Sequence, residues 1–294
     1  MALKHLNTPK PINLIFIFRA GLGSLAALYL CVTLLITNLA QMTSLILLPF
    51  SRSQFRDFNT KCADSWWSSC VHVLKYLHGI RLIITGDEIP PQENALVIVN
   101  HQGMVDVFPL LMLAREKGML RNLKWFVKDI LKYVPGLGWG MLFLDCIFVK
   151  RSWNQDEQNI SRTFSQFKTT RIPLWLISFV EGTRITPEKL KKNQIYCKEK
   201  GLPILTHCMI PKTRGFVASV TGLSSCISAV YDVTLVYRNG VPRLTQLIFG
   251  CVQEFEIQIK RYPSSHLPQD QNTLSEWLIE RYVEKNTYLA HEDQ

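Results

Sequence analysis

Ala95-Leu96-Val97-Ile98-Val99 runs directly into Asn100-His101-Gln102-Gly103-Met104-Val105-Asp106. The first five residues are all apolar, three of them are β-branched, and the run is too short for an independent helix. It reads as a strand covered on both faces, the kind found at the centre of a parallel sheet. His101 then emerges at the strand's carboxyl end, where open α/β sheets carry their functional loops. Val105, Phe108, Met112 and Leu113 recur at helical spacing, so a helix is predicted over Val105 to Lys117. Asp106 opens that helix. Its carboxylate can accept a hydrogen bond from one ring nitrogen of His101 and fix the tautomer, leaving the other nitrogen free to take a proton. The spacing is common, and a purely structural histidine stays open on these residues alone.

The same grammar recurs outward from this stretch. Arg81 to Thr85 is a short β-rich run ending at Gly86, and Ile172 to Val180 is predicted as a strand. Pro187 to Lys200 is a charged helix with proline where a first turn accepts it. Leu202 to Thr206 and Tyr231 to Tyr237 read as further strands, Leu244 to Ile259 as one or two more, and Leu274 to Leu289 as a closing helix. Strands alternating with helices predict an α/β fold with a mixed, mainly parallel sheet flanked by helices.

Four other stretches could carry chemistry. Glu181-Gly182-Thr183-Arg184 leaves a strand end and can form an anion-binding turn, Arg184 gripping a phosphate bidentately. Lys150 and Arg151 end the apolar run Cys146 to Val149, which again suits a phosphate. His207 to Phe216 places Pro211 in a loop with Lys212 and Arg214. Lys128 precedes Leu131, Pro135 and Gly138, read as a helix followed by a turn. Taken singly, each is equally an ordinary surface turn, strand end or helix end.

The amino-terminal part is of another kind. From Ala20 to Phe50 no residue is charged. A helix over that run would be ~46 Å long, against a hydrocarbon core of ~30 Å. It is therefore expected to tilt or to break near Thr37, Asn38, Gln41, Thr43 and Ser44. The run exceeds the ~7–15 residues of a signal-peptide core, and no A-x-A site follows it. Lysine and arginine flank both ends, which weakly favours a hairpin or re-entrant anchor with both ends cytoplasmic. A second helical stretch, Ser51 to Gly79, carries Trp66 and Trp67, which suit either a membrane interface or a core. The expected division is a hydrophobic helical membrane anchor with an interfacial helix over 1–78 and a catalytic domain over 79–294, integral or monotopic in the membrane and facing the cytoplasm.

Composition agrees. Hydrophobic residues make up 47% of the 294, with 15 Phe, 9 Tyr and 7 Trp, which excludes a disordered chain. The net charge of +10 favours anionic partners. The cations are dispersed and no nucleic-acid-binding motif is present, so lipid headgroups and phosphorylated substrates are expected rather than nucleic acid. The eight cysteines include no C-x-x-C pair or other zinc-type spacing, and reduced thiols are expected. No G-x-S-x-G elbow marks a hydrolase.

Together and in order, Asn100-His101 to Asp106, Ile147 to Arg151, Glu181 to Arg184 and the stretch around Pro211 resemble the four blocks of the glycerolipid acyltransferase family, the lysophosphatidic acid acyltransferases of PlsC type. Lys150-Arg-Ser-Trp153 with Asp156, Ile210 to Phe216 and Ala229 to Thr234 are most similar to its eukaryotic and lysocardiolipin-type subgroup. The likeness spans roughly Gly79 to Arg238. It implies an acyl-CoA or acyl-carrier-protein donor, a lysophospholipid acceptor, and direct attack of the acceptor hydroxyl on the thioester. It implies His101 as general base assisted by Asp106, and Glu181, Gly182, Thr183 and Arg184 handling the acceptor phosphate with Lys150 or Arg151. Pro211 would lie near the donor path and Lys128 near the acceptor. Neither a metal nor a redox cofactor is needed, and backbone amides near the active loop are expected to stabilise the oxyanion. Lysophosphatidic acid is the acceptor expected first, with lysocardiolipin, lysophosphatidylinositol or lysophosphatidylglycerol as alternatives, and a non-catalytic membrane scaffold as the rival of another class. The chain departs from many members at Asp145 or Cys146 (often Gly) and Lys150 (often acidic), positions that bear on donor and acceptor preference, and at Gly103 (often Ser), a difference of little weight.

Overall fold

The structure, a computed structural model, describes residues 14–150 and 152–292. Arg151 lies outside the described residues. Helix α1 (Leu14–Thr43) is followed by a 3-10 turn (Ser44–Leu47), and α2 (Arg52–His72) starts on an N-cap, Ser51, whose hydroxyl accepts the Gln54 amide. Next come β1 (Arg81–Gly86), β2 (Ala95–Val99), α3 (Val107–Glu116), β3 (Leu123–Lys128), α4 (Leu137–Phe143) and β4 (Ile147–Val149). The chain continues with α5 (Trp153–Thr170), β5 (Trp175–Ser178), α6 (Pro187–Lys200), α7 (Thr213–Gly222), β6 (Ala229–Val236), α8 (Leu244–Ile248), β7 (Glu254–Pro263) and α9 (Gln271–Glu292).

Among the described residues, seven strands form one sheet in the order β1-β7-β6-β2-β5-β3-β4. Only the β6–β7 pair is antiparallel. Thus β6, β2, β5, β3 and β4 point the same way, and their carboxyl ends share one edge. Strand β2 sits in the middle, with Ala95 facing Trp175 on one neighbour and Ala229 on the other.

Alternation along β2 divides the core. Ala95, Val97 and Val99 pack with Trp67, Cys70, Leu110 and Leu113 from α2 and α3, while Leu96 and Ile98 pack with Phe164, Phe167, Phe216 and Tyr282 from α5, α7 and α9. The result is three layers, helix on sheet on helix. Two buried side chains tie α9 to the central strands. The Tyr282 hydroxyl donates to Val99 O at 3.1 Å, and Lys285 Nζ lies 2.7 Å from Asp232 and 2.6 Å from Val233 O.

Helix α1 runs unbroken through Thr37, Asn38 and Gln41, so the expected break falls only at its end. One stripe of α1 docks on the rest of the protein. The Trp66 indole donates to Leu30 O, Asn38 Oδ1 accepts the Gly136 amide at 2.9 Å, and a Cβ at Gly23 would stand 1.8 Å from Ile248 O. The other faces expose leucine, isoleucine and phenylalanine. Asn38 and Gln41 are thus docking contacts rather than a helix break, and the α-helix gives way to a 3-10 turn only at Thr43 and Ser44. Helix α2, through Trp67 and Cys70, and the turn Val73–Leu77 that follows it, through Leu74, are full members of the core, so this stretch packs as part of the α/β body.

Three local expectations are corrected. Leu202 to Thr206 forms no strand. Pro203 lacks a donor, and the flanking amides are taken by Cys197 O and Asn286 Oδ1 rather than by a sheet neighbour. The Leu244 to Ile248 part of the next apolar run is helical, and its strand begins only at Glu254. The stretch at Lys128 is the end of a strand followed by a 3-10 turn and a helix, not a helix followed by a turn.

Candidate active site

His101 sits two residues beyond β2, on the shared carboxyl edge. Its Nδ1 lies 2.9 Å from Asp106 Oδ2. That same oxygen accepts the amides of Gln102 at 2.6 Å and Gly103 at 2.9 Å, and Oδ1 accepts the Tyr237 hydroxyl at 2.9 Å. Asp106 is completely buried, so these four partners replace its hydration. The short 3-10 turn Met104–Asp106 makes the arrangement possible by folding the carboxylate back over the chain that precedes it. The amides of Gln102 and Gly103 are therefore committed to Asp106 and leave nothing for an oxyanion.

The His101 ring stacks on Phe179, with centroids 4.1 Å apart and planes 21° from parallel, and Trp125 continues the stack. Behind it, Asn100 is fully buried and exchanges two hydrogen bonds with the backbone of Leu235 on β6, at 2.8 and 3.1 Å. Gln102 adds a third bond to Leu235 O. The imidazole is thus held by Asp106 at one nitrogen and by Phe179 at one face, with its side chain 20% exposed.

The backbone of His101 is gripped by the loop after β5. Its amide donates to Glu181 Oε1 at 2.9 Å, and its carbonyl accepts the Ile185 amide at 2.9 Å. Glu181 Oε2 accepts the Met209 amide at 3.1 Å, and Val180 O accepts the Lys212 amide at 2.8 Å. Glu181 therefore joins three loops, those of His101, Arg184 and Pro211. Both its oxygens are occupied by backbone, and it makes no ion pair with Arg184. Burial pushes its carboxyl up to about 8, against the pull of the two amides and of Lys285. Gly182 has φ +74°, and a Cβ there would lie 3.0 Å from the Lys212 side chain, so the turn accommodates only glycine without strain.

The cations expected for a phosphate differ in placement. Arg184 is exposed, one residue from the amide that holds His101, and no carboxylate among the described residues pairs with it. Thr183 Oγ1 accepts from Lys189 Nζ at 2.7 Å. Lys128 is exposed at the end of β3, and Lys150 is exposed beyond β4, about 14 Å from β2 laterally at about 4.8 Å per strand. The Lys150 amide donates to Asp156 Oδ1 at 2.8 Å and the Ser152 amide to Oδ2 at 3.1 Å, so a buried aspartate shapes this loop as Asp106 shapes the other. Pro211 is buried between Met209 and Lys212, on the far side of Glu181 from His101.

Tyr237, Phe179 and Asn100 complete the site without having been singled out as site residues in the sequence. Asn100 opens the quoted His–Asp motif and Phe179 lies in the run that leads into Glu181, whereas Tyr237 follows β6 and carries no signal of spacing.

Residues 81–236 match the family described as Acyltransferase, and residues 246–291 match the one described as Acyltransferase C-terminus. The chain is 33% identical over 262 residues to 1-acyl-sn-glycerol-3-phosphate acyltransferase 3 of Arabidopsis thaliana, covering 87% of this chain and 70% of that protein. It is 31% identical over 257 residues to 1-acyl-sn-glycerol-3-phosphate acyltransferase gamma of Homo sapiens, covering 86% and 68%. The crystal structure of the lysophosphatidic acid acyltransferase PlsC from Thermotoga maritima shares the fold, with a TM-score of 0.55 at 16% identity over 92% of this chain and 97% of that one. With its His–Asp pair, its stitched strand-end loops and this likeness, the chain belongs to the acyltransferase family.

Proposed function

We propose that the chain transfers an acyl group from acyl-CoA or acyl-carrier protein to the free hydroxyl of lysophosphatidic acid, making phosphatidic acid. One observation carries the reading: a buried, four-coordinated Asp106 holds His101 Nδ1 at 2.9 Å, while the loop that bears Arg184 grips the His101 backbone. With the proton held on Nδ1, Nε2 is the free base. It takes the acceptor hydroxyl's proton as the oxygen attacks the thioester carbonyl. Collapse of the tetrahedral intermediate breaks the C–S bond, and His101 returns the proton to the leaving thiolate. Arg184 holds the acceptor phosphate, with Lys150 and Lys128 further along the edge.

The anchor supports a membrane-embedded acceptor. The helix from Leu14 to Leu47 reaches a mean hydropathy of 2.0 with only 6% of that window buried. Its docking points Gly23 and Asn38 lie ~22 Å apart along the helix axis, so the catalytic domain accompanies α1 over more than the ~15 Å hydrocarbon depth of one leaflet. We place that domain on the cytoplasmic face, where soluble thioester donors are found. An apolar cavity of 220 Å³ between α1, α2 and α8 reaches Phe108, two residues after Asp106, and offers space for an acyl chain. The test is a panel of lysophospholipid acceptors with one radiolabelled acyl-CoA. Highest kcat/KM on lysophosphatidic acid supports the reading. Preference for lysocardiolipin, lysophosphatidylinositol or lysophosphatidylglycerol would replace the acceptor, and no transfer to any of them would refute it.

A further inference from the structure

The connection from β3 to α4 is apolar where a loop is ordinarily polar. Ile130 is 56% exposed and Tyr133 67%, and Leu131, Val134, Leu137 and Leu142 are exposed as well. A contiguous apolar patch of this kind marks an interaction surface. It is built onto the anchor helix. The Gly136 amide donates to Asn38 Oδ1 in a buried contact, a Cβ on Gly136 would meet the Leu34 side chain, and one on Gly140 would meet Asn38 and Gln41. The patch is therefore fixed to the docked stripe of α1 and lies beside its exposed apolar faces. Its chemistry is that of an interface. Lys132 Nζ stands 5.1 Å from the Tyr133 ring centroid and bonds to Asp129, so an aromatic ring and a cation sit at its rim.

We propose that residues 130–142 form a second membrane-contacting element, seated at the headgroup–acyl boundary of the leaflet that holds α1. The segment begins two residues beyond Lys128, on the edge that carries His101. Seating it there brings that edge to headgroup level and lets the acceptor enter sideways from the leaflet. The proposal rests on α1 being a membrane anchor and, in its second half, on the transferase reading.

The experiment uses the full chain in phosphatidylcholine vesicles containing an anionic lipid. An environment-sensitive fluorescent amino acid is placed at Tyr133 and, as control, at Glu280 on α9 in the opposite helical layer. The expected result is blue-shifted emission at 133, quenched by a shallow doxyl-labelled lipid, and water-like emission at 280. Water-like emission at 133 overturns the proposal. A blue shift that doxyl lipid leaves unquenched overturns it too, because the patch is then covered by protein such as a second copy. In parallel, Leu131→Asp with Val134→Asp is assayed on a long-chain acceptor in vesicles and on a short-chain, water-soluble acceptor. The rate is expected to fall about tenfold or more on vesicles and to hold on the soluble acceptor. Equal falls on both overturn the proposed entry route. A wild type inactive on both acceptors would sink the transferase reading instead, while the fluorescence still decides the membrane contact.

Discussion

The Tyr237 hydroxyl, one residue beyond the neighbouring strand β6, donates to Asp106 Oδ1 at 2.9 Å. It is the one side-chain hydroxyl on a carboxylate whose other oxygen serves His101 and two amides. Burial and the neighbouring Asp106 push its phenol well up, so it stays a donor at every working pH. Tyr237→Phe removes one neutral donor to a charge, a change of about 1–2 kcal/mol. The expected result is a fall in kcat of roughly 5–30-fold with acceptor KM unchanged. A variant with normal kcat would show that the amides alone orient Asp106.

Arg184 is exposed and has no carboxylate partner to lose among the described residues. Arg184→Ala is therefore expected to leave the melting temperature within about a degree. It should raise acceptor KM roughly 10–100-fold, the loss of a charge-assisted contact worth about 1.5–3 kcal/mol. Loss of the folded protein would assign Arg184 a structural role.

Glu181 makes stability depend on pH. An unfolded glutamate ionises near 4.5, whereas burial raises this one to about 8. Between those values the folded state holds a proton that the unfolded state has released. Its contribution is fully present below pH about 4.5 and is lost as pH rises towards about 8. Melting curves of wild type in detergent between pH 5 and pH 8 are expected to fall more steeply than those of Glu181→Gln. The variant starts lower, because its amide group must face a backbone N–H that now lacks an acceptor. Parallel curves would mean that Glu181 is ionised throughout.

Much of this was legible in the sequence because it is local. The buried run Ala95 to Val99, the capped helix at Pro187 and the five-residue step from His101 to Asp106 depend on neighbours along the chain, and the structure places them as their patterns require. What was not legible depends on contacts distant in sequence. Tyr237 reaches Asp106 only because β6 pairs with β2. Glu181 reads as a substrate ligand in its motif, yet the fold fills both its oxygens with the amides of His101 and Met209. Leu202 to Thr206 has a strand's composition, but Pro203 and the side chain of Asn286 settle it as a braced loop. Asn38 and Gln41 looked like a helix break because their partner, the loop at Gly136, is far away in the chain.

The central claim is that His101, aimed by Asp106, is the base that activates the acceptor hydroxyl. His101→Ala, assayed with lysophosphatidic acid and radiolabelled acyl-CoA in vesicles beside a melting curve, tests it most directly. Among the described residues the His101 ring meets Asp106 and Phe179 alone, so the variant is expected to fold with a melting temperature within a few degrees of wild type. Its kcat/KM should fall by about 10²–10⁴, the usual contribution of a positioned general base. A correctly folded variant that retains activity within about threefold of wild type would contradict the account.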